Sequence, residues 1–149
     1  MVMKRFLFIA LAAVSLAIVC AACCSCRKGK NNKPLTGTEW HLVRMMSGDL
    51  SIEPDQFVFA FGKDGRFSGV GACNRMMGSY TATEKGDMTF GEDMASTRMM
   101  CPDIELESKF SQILSATTHY EIDGDMLMLL SNGEVQAVLK AVEPSAEKK

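Results

Sequence analysis

Apolar and polar positions alternate with a period of two over much of the chain after residue 35. The clearest case is the segment 56–61, in which aromatic residues occupy every second position and therefore lie on one face of a predicted strand: Phe57, Phe59 and Phe61. Asp64-Gly65 then favours a tight turn. Residues 66–73 are predicted to return as the next strand, with Phe67 facing the aromatic row. The pattern predicts an antiparallel β-hairpin.

The same alternation marks further strands. In the first, residues 38–46, one predicted side carries Trp40, Leu42 and Arg44, and the other carries His41, Val43 and Met45. The remaining strands are predicted over residues 78–83, 88–90, 119–123, 126–130 and 134–142. Asn132-Gly133, between the last two, is typical of a β-hairpin. Strands at hairpin spacing indicate an antiparallel barrel or sandwich and not a parallel α/β sheet.

One segment has helical periodicity. Pro102-Asp103 is predicted to begin a helix over about residues 103–116, with Asp103 near the N-cap. Glu105 and Glu107 fall in the first turn, where the helix dipole favours acidic residues. Apolar residues at helical spacing form one face: Ile104, Phe110, Ile113 and Leu114. Residues 94–101, just before, are predicted to be extended and buried at their apolar positions. The predicted fold is mainly β, an antiparallel barrel-like domain of about eight strands with one α-helix.

The N-terminal segment has the parts of a secretory signal. Lys4 and Arg5 precede an apolar run from Phe6 to Val19, and small residues around cysteine follow. An uncleaved anchor helix is the alternative, although the run is short for a membrane span. We therefore expect a signal peptide over 1–22, a flexible basic tether over 23–34, a folded domain over 35–143 and a polar tail over 144–149.

Four cysteines cluster at the predicted processing site: Cys20, Cys23, Cys24 and Cys26. Cys23 and Cys26 form a C-x-x-C pair, but no second pair follows at zinc-finger spacing. The segment resembles a bacterial lipoprotein signal, in which a cysteine after small residues is lipidated and becomes the mature N-terminus. Cys23 fits this pattern best because Ala21-Ala22 precede it. Cys24 and Cys26 stay open, since Cys20 stands where the pattern prefers an aliphatic residue. The resemblance implies a lipid anchor in a membrane of the bacterial envelope, with the domain facing the periplasm or the cell surface.

Charge divides the chain into two parts. The formal net charge is −2, but the tether over 23–34 carries four basic residues and no acidic ones. Residues 35–143 hold 8 Lys and Arg against 17 Asp and Glu, a net charge of −9. An acidic domain argues against nucleic acid as a partner, because phosphates require positive charge. The tether is predicted to be a solvated spacer, with contact to anionic headgroups as the alternative.

Residues 65–80 contain four glycines, which indicate bulges, corners or close backbone approach: Gly65, Gly69, Gly71 and Gly78. Cys73 lies within this stretch, and Cys101 follows downstream. In an exported domain the compartment permits disulfides, so we expect a Cys73–Cys101 bond. Two buried free thiols, or a redox or metal role, are the alternatives.

Three separated motifs resemble the META family, the group of HslJ-like heat-inducible lipoproteins. They are residues 35–40 (L-T-G-T-E-W), residues 68–74 with 78–80, and residues 97–102, and they occur in the family's order. Ala72 departs from the pattern, since the family commonly has glycine before the cysteine. The resemblance covers about residues 35–142. It implies a β-barrel-like fold with one helix, display as an envelope lipoprotein, a link to stress tolerance and no established enzymatic activity.

Candidate catalytic and metal-binding chemistry is sparse. The zinc-ligand types in the domain are spread along the chain with no two within four residues: His41, Cys73, Cys101 and His119. Cys73 beside a histidine has the residue types for nucleophilic catalysis but no local signature. Core filling accounts for the ten methionines of the domain, with a copper(I) site as the alternative. We expect no cofactor, no metal and no enzymatic activity.

Asn74, Arg75 and Arg98 flank the two cysteines, so a disulfide would gather them into a candidate binding patch. Two arginines on an acidic domain suit an anion or a carboxylate. The alternative, which we favour, is that Asn74 satisfies turn backbone and the arginines pair with nearby acids.

The sequence is compatible with two functions. The first is a non-enzymatic envelope module that recognises a protein or another envelope component. The second is a carrier of a small apolar ligand, as in lipocalin-like barrels. The interior discriminates between them, because there is no room for cargo if these side chains fill it: Trp40, Phe57, Phe59, Phe61 and Met126.

Overall fold

The strands and the helix follow the order predicted from the spacing of apolar residues. The computed structural model describes residues 31–46, 52–53 and 55–142. The elements are β1 (Glu39–Met45), β2 (Val58–Phe61), β3 (Arg66–Val70), β4 (Arg75–Ala82), β5 (Met88–Phe90), β6 (Ala95–Ser96), α1 (Ile104–Ala116), β7 (His119–Asp123), β8 (Met126–Ser131) and β9 (Glu134–Val142). The predicted signal peptide, the candidate lipidation site Cys23 and the tail 144–149 lie outside the described residues.

The strands form one antiparallel sheet in the order β5-β4-β3-β2-β1-β9-β8-β7, and the short β6 also pairs with β4. The two outer strands meet at an isolated bridge between Asp87 and His119. Beside this bridge, the Met88 N–H donates to the Thr118 carbonyl at 3.0 Å and the Tyr120 N–H to the Gly86 carbonyl at 2.8 Å. The sheet therefore curls into an incompletely closed barrel. Over the described residues, the predicted mainly β, barrel-like fold with one α-helix is confirmed. The short strand β6 is the one that the alternation did not predict.

Aromatic side chains fill the interior of the curled sheet. The three phenylalanines of the predicted row, Phe57, Phe59 and Phe61, are all buried. The strand begins only at Val58, because Phe57 precedes it with a left-handed backbone at φ 55°. Phe61 pairs with Phe67 across the β2–β3 hairpin, which confirms the predicted facing of these residues. The helix inserts Phe110 from one end of the barrel, where its ring centroid lies 5.1 Å from that of Phe59. Packed aromatic rings of this kind supply much of the energy of a small core.

The predicted helical face is confirmed except at its first residue, and its N-cap works differently from the expectation. Phe110, Ile113 and Leu114 are buried, whereas Ile104 is only half-buried. Asp103 occupies the N-cap position without a capping hydrogen bond from its side chain. Its carboxylate instead accepts a hydrogen bond from Gln56 Nε2 at 3.3 Å. This contact ties the start of α1 to the segment that precedes β2.

The predicted alternation in β1 is wrong at its end. Its pairing with β9 shifts register between Leu42 and Arg44. An extra residue in one strand reverses the facing of those that follow. Met45 is therefore buried, at 1% exposure, and Arg44 points to solvent, which is the reverse of the prediction.

The segment 94–101 departs further from its prediction. Only Ala95–Ser96 form a strand, and Met99 and Met100 are exposed by 57% and 89%. The prediction that its apolar positions are buried is wrong for these two residues. After β6 the chain runs to Cys101 through a loop, and this loop is held through its backbone.

The strand registers define two ends of the barrel. At the tether end lie residues 32–35 and the turns at 62–65, 83–87 and 124–125, because Glu39 pairs with Ala60 and Val142 there. At the disulfide end lie the loops at 71–74 and 97–103, together with the start of α1. Within the described ranges, no helix has the length and hydropathy of a membrane span.

A clasp holds the chain where it enters the domain. The Asn32 carboxamide donates to the Ile122 carbonyl at 2.7 Å and accepts from the Gly124 N–H at 2.8 Å. The Lys33 N–H also donates to the Gly124 carbonyl at 2.8 Å. The compact unit therefore begins at Asn32, ahead of the predicted start at Leu35.

We expect Asn32→Ala to loosen this clasp without unfolding the domain. Loss of the acceptor for the Gly124 N–H should speed amide exchange at Gly124 about fivefold, since a net hydrogen bond contributes about 1 kcal/mol. Asn32→Asp is the matched control, because it retains an acceptor oxygen for Gly124 and loses only the donor to Ile122. Equal exchange at Gly124 in wild type and Asn32→Ala would contradict the clasp.

Candidate functional site

The two cysteines of the domain meet at the disulfide end. Cys73 lies in the loop after β3 and Cys101 just before α1. Their Sγ atoms are 2.08 Å apart and their Cα atoms 6.4 Å apart, which is disulfide distance. The link joins two loops that are 28 residues apart in the sequence.

Beneath the disulfide, a carboxylate from the helix binds the first of these loops. Glu107 is only 4% exposed. Its Oε2 accepts the backbone N–H of Cys73 at 3.2 Å and that of Asn74 at 2.9 Å. Its Oε1 accepts from Asn74 Nδ2 at 2.8 Å. Three hydrogen-bond donors thus surround the Glu107 carboxylate. From the sequence, only a favourable interaction with the helix dipole was predicted for this residue.

Glycine is required beside this carboxylate. A Cβ built on Gly71 would lie 2.7 Å from Glu107 Oε2, well inside van der Waals contact. In β3, a Cβ on Gly69 would collide with the Val58 carbonyl oxygen. The close backbone approach expected from the glycine-rich stretch is confirmed at both positions.

Asn74 connects Glu107 to the second loop. It is 1% exposed, and its Oδ1 accepts from the Met99 N–H at 2.7 Å and from Thr97 Oγ1 at 2.8 Å. Its Nδ2 also donates to the Met99 carbonyl at 3.2 Å. The placement of Asn74 in a surface patch is therefore wrong, because every polar atom of its side chain is used inside the protein. The alternative, that it satisfies loop backbone, is confirmed. We call these contacts the Asn74–Glu107 network.

Arg75 and Arg98 do reach the surface. Arg75 begins β4, and its backbone bonds with Thr97, which places it on a segment adjacent to Arg98. Both side chains are exposed. In the described part of the chain neither arginine forms an ion pair, so the pairing with local acids that we favoured is not observed.

Apolar side chains surround the two arginines. Val70 and Met77 point outward from β3 and β4, and Met99 and Met100 project from the loop before Cys101. We define the disulfide-end face as these exposed residues: Val70, Arg75, Met77, Arg98, Met99 and Met100. Its loop is fixed from beneath by the disulfide and the Asn74–Glu107 network. The face combines cationic and apolar contacts on a restrained backbone.

Two depressions lie on the surface of the described domain. One, of about 490 Å³, lies at the tether end beside Tyr80 and Tyr120. Burial raises the pKa of both tyrosines, with smaller contributions from neighbouring acids. Their hydroxyls already donate to the carbonyls of Gly62 and Thr83. The other, of about 470 Å³, lies between α1 and the β8–β9 turn.

Four of the five side chains on which the choice between the two functions depends are buried. They are Trp40, Phe57, Phe59 and Phe61, and Leu127 and Leu129 of β8 are buried with them. Met126, the fifth, is only half-buried. Leu127, one residue further along the strand, is the buried residue at this position.

The histidines do not assemble with the cysteines. His41 lies in β1. His119 lies where the outer strands β5 and β7 meet, and its Nε2 is 3.3 Å from Asp87 Oδ1. Across the described ranges, no group of three or more His, Cys, Asp or Glu residues is placed to hold a metal ion.

Glu107, Met99 and Met100 belong to the site but were not assigned to it from the sequence. A signal for Glu107 exists, because it lies three residues before Phe110 and seven before Leu114 and so shares their helical face. No comparable signal marks Met99 and Met100.

The sequence model of the META domain family matches residues 33–143, which confirms the resemblance. No curated protein matches the chain. A protein solved by NMR is 23% identical with a TM-score of 0.55, over 69% of this chain and 87% of its own. A Burkholderia xenovorans protein solved by NMR is 20% identical with a TM-score of 0.60, over 78% and 92%. The crystal structure of a DUF4847 family protein from Bacteroides vulgatus ATCC 8482 is 17% identical with a TM-score of 0.55, over 72% and 93%. At these identities the structures share the fold alone.

We expect Glu107→Ala to destabilise the domain strongly. It leaves two backbone N–H groups and the Asn74 amide without their acceptor, and a single hydrogen bond to a charged group contributes about 1.5–3 kcal/mol. The free energy of unfolding in urea should fall by about 3 kcal/mol. Glu105→Ala, in the same turn but exposed, is the control and should change it by less than about 0.5 kcal/mol. Similar losses in the free energy of unfolding of the two variants would show that the Glu107 hydrogen bonds stabilise the domain no more than the exposed Glu105 side chain does.

We expect the disulfide to stabilise the domain through the unfolded chain. Replacing both Cys73 and Cys101 by Ser should lower the free energy of unfolding by about 3.5 kcal/mol on the loop-entropy account. The oxidised and reduced wild-type proteins, compared in the same denaturant titration, provide the control. Peptide mapping without reductant that finds both thiols free in exported protein would refute the bond.

Proposed function

The chain belongs to the META domain family, and on that premise we propose that it is a non-enzymatic envelope module that binds a protein partner through the disulfide-end face. The observation that carries the proposal is the pairing of exposed Arg75 and Arg98 with exposed Met99 and Met100 on a loop fixed from beneath. A role in envelope stress tolerance, which the family suggests, would act through this binding.

The composition of the face supports recognition of another protein. Arginine and methionine are enriched in protein–protein interfaces relative to other surfaces. A guanidinium can bind a carboxylate through two parallel hydrogen bonds. Because the domain carries a net charge of −9 over residues 35–143, two arginines without ion-pair partners among the described residues stand out locally. The matching partner surface is acidic with apolar side chains.

Restraint of the loop that carries Met99 and Met100 also favours binding by this face. Binding costs conformational entropy when a loop must be ordered on contact. The Met99 backbone is already held through both its N–H and its carbonyl by Asn74. A partner would therefore meet a face whose backbone is ordered in advance.

Site-specific photo-crosslinking in the producing cells tests the recognition role. A photoreactive residue at position 100 should yield a defined crosslinked protein, whereas one at Lys63, at the tether end, should not. The double variant Arg75→Ala/Arg98→Ala should reduce the adduct at least about tenfold, because a charged interfacial contact contributes about 1.4 kcal/mol or more. Lys63→Ala/Lys85→Ala is the charge-matched control.

Two outcomes would reject the proposal. One is a crosslink of equal yield at position 63 or in the arginine double variant. The other is unfolding of the arginine double variant, which would make these side chains structural. Substrate turnover by the purified protein that depends on His41 or His119 would reject its non-enzymatic part.

Mass spectrometry of the mature N-terminus tests the lipid anchor. We expect an acylated Cys23, and Cys23→Ala should leave the precursor unprocessed. Cys26→Ala is the control and should mature normally. Acylation at Cys24 or Cys26 would show that one of these cysteines, and not Cys23, is the lipidated residue. An unmodified N-terminus would show that the protein has no lipid anchor.

A further inference from the structure

The methionines of the domain differ widely in exposure. Met45, Met76 and Met88 are each 1% exposed, whereas Met46 and Met77 are exposed by 51% and 47% and Met99 and Met100 by 57% and 89%. The two most exposed of the described methionines, Met99 and Met100, are adjacent in the sequence and lie beside Cys101.

The loop that carries the exposed pair is held in place. Asn74 binds both backbone polar groups of Met99, and Cys101 is tied to Cys73. The exposure of these side chains is therefore a property of the folded loop and does not require local unfolding.

The thioethers of Met99 and Met100 are therefore the sulfur atoms of the described domain that are most accessible to an oxidant. Thiols react with oxidants before thioethers do, but the only cysteines among residues 31–142 are Cys73 and Cys101, which lie at disulfide distance. Oxidation of a core methionine would bury a polar sulfoxide without a partner, which is costly. A sulfoxide at position 99 or 100 remains in water, so the fold tolerates it.

We propose that Met99 and Met100 form a reversible oxidation site for peroxides, and that oxidation there switches off the disulfide-end face. A sulfur lone pair attacks one peroxide oxygen, so that an S–O bond forms while the O–O bond breaks. The sulfur loses two electrons to become a sulfoxide, and hydrogen peroxide is reduced to water after proton transfer. The apolar part of the face becomes polar. The switching consequence rests on the proposed recognition function, whereas the oxidation site itself does not.

Peptide mass spectrometry of the full-length protein in detergent, treated with limiting hydrogen peroxide, tests the site. Met99 and Met100 should gain oxygen at least about tenfold faster than Met45, Met76 and Met88, because oxidation follows exposure. The melting temperature should stay unchanged, and the two methionine sulfoxide reductases should remove the oxygen from the folded protein. Equal rates in the two groups, loss of the fold on modification, or failure of the reductases would overturn the proposal.

The crosslink from a photoreactive residue placed at Val70 tests the switch. Peroxide should reduce the adduct of the wild type at least about tenfold, and the loss should be absent in Met99→Leu/Met100→Leu, which keeps apolar side chains that cannot form sulfoxides. Met46→Leu, at another exposed methionine, is the matched control and should lose the adduct as the wild type does. Peroxide sensitivity that persists in the double leucine variant would overturn the switch. If untreated protein gives no crosslink, the recognition function fails while the oxidation result stands.

Discussion

The buried carboxylate of Glu107 is the contact on which the disulfide end depends. A charge removed from water is costly unless its oxygens accept hydrogen bonds from well-placed donors. Here two consecutive backbone N–H groups and the Asn74 amide supply these bonds. Because Asn74 also binds both backbone groups of Met99, one helical side chain aligns both cysteine-bearing loops.

This arrangement explains why the disulfide and the network belong together. The disulfide reduces the entropy of the unfolded chain, while the network satisfies polar groups that folding has removed from water. Gly71 is a steric condition for the Asn74–Glu107 network, since a side chain there would displace the Glu107 carboxylate. Ala72, which departs from the family pattern, is buried in the same loop and leaves these contacts intact.

The curled sheet separates the two ends of the domain. Its interior is occupied by aromatic and aliphatic side chains, and α1 contributes Phe110 from one side. Chain entry is held at one end by Asn32, and the exposed methionines and arginines lie at the other. Because these side chains occupy the interior, the proposed function concerns recognition at the surface of the domain.

The elements whose signal is local could be predicted from the sequence. The alternation around Phe57, Phe59 and Phe61 predicted a buried face, and the spacing of Phe110 and Leu114 predicted the helix face, because neighbours in the sequence set these periodicities. The pairing of Cys73 with Cys101 could also be predicted, since the predicted domain holds only these two cysteines. Tertiary structure decided the rest: the bulge that turns Met45 inward, the burial of Asn74 and Glu107, the exposure of Met99 and Met100, and the Asn32 clasp. Each depends on partners 25 to 92 residues away or on the register between distant strands. The local periodicity of apolar residues does not encode such contacts, because they form only once the sheet has curled and brought the segments together.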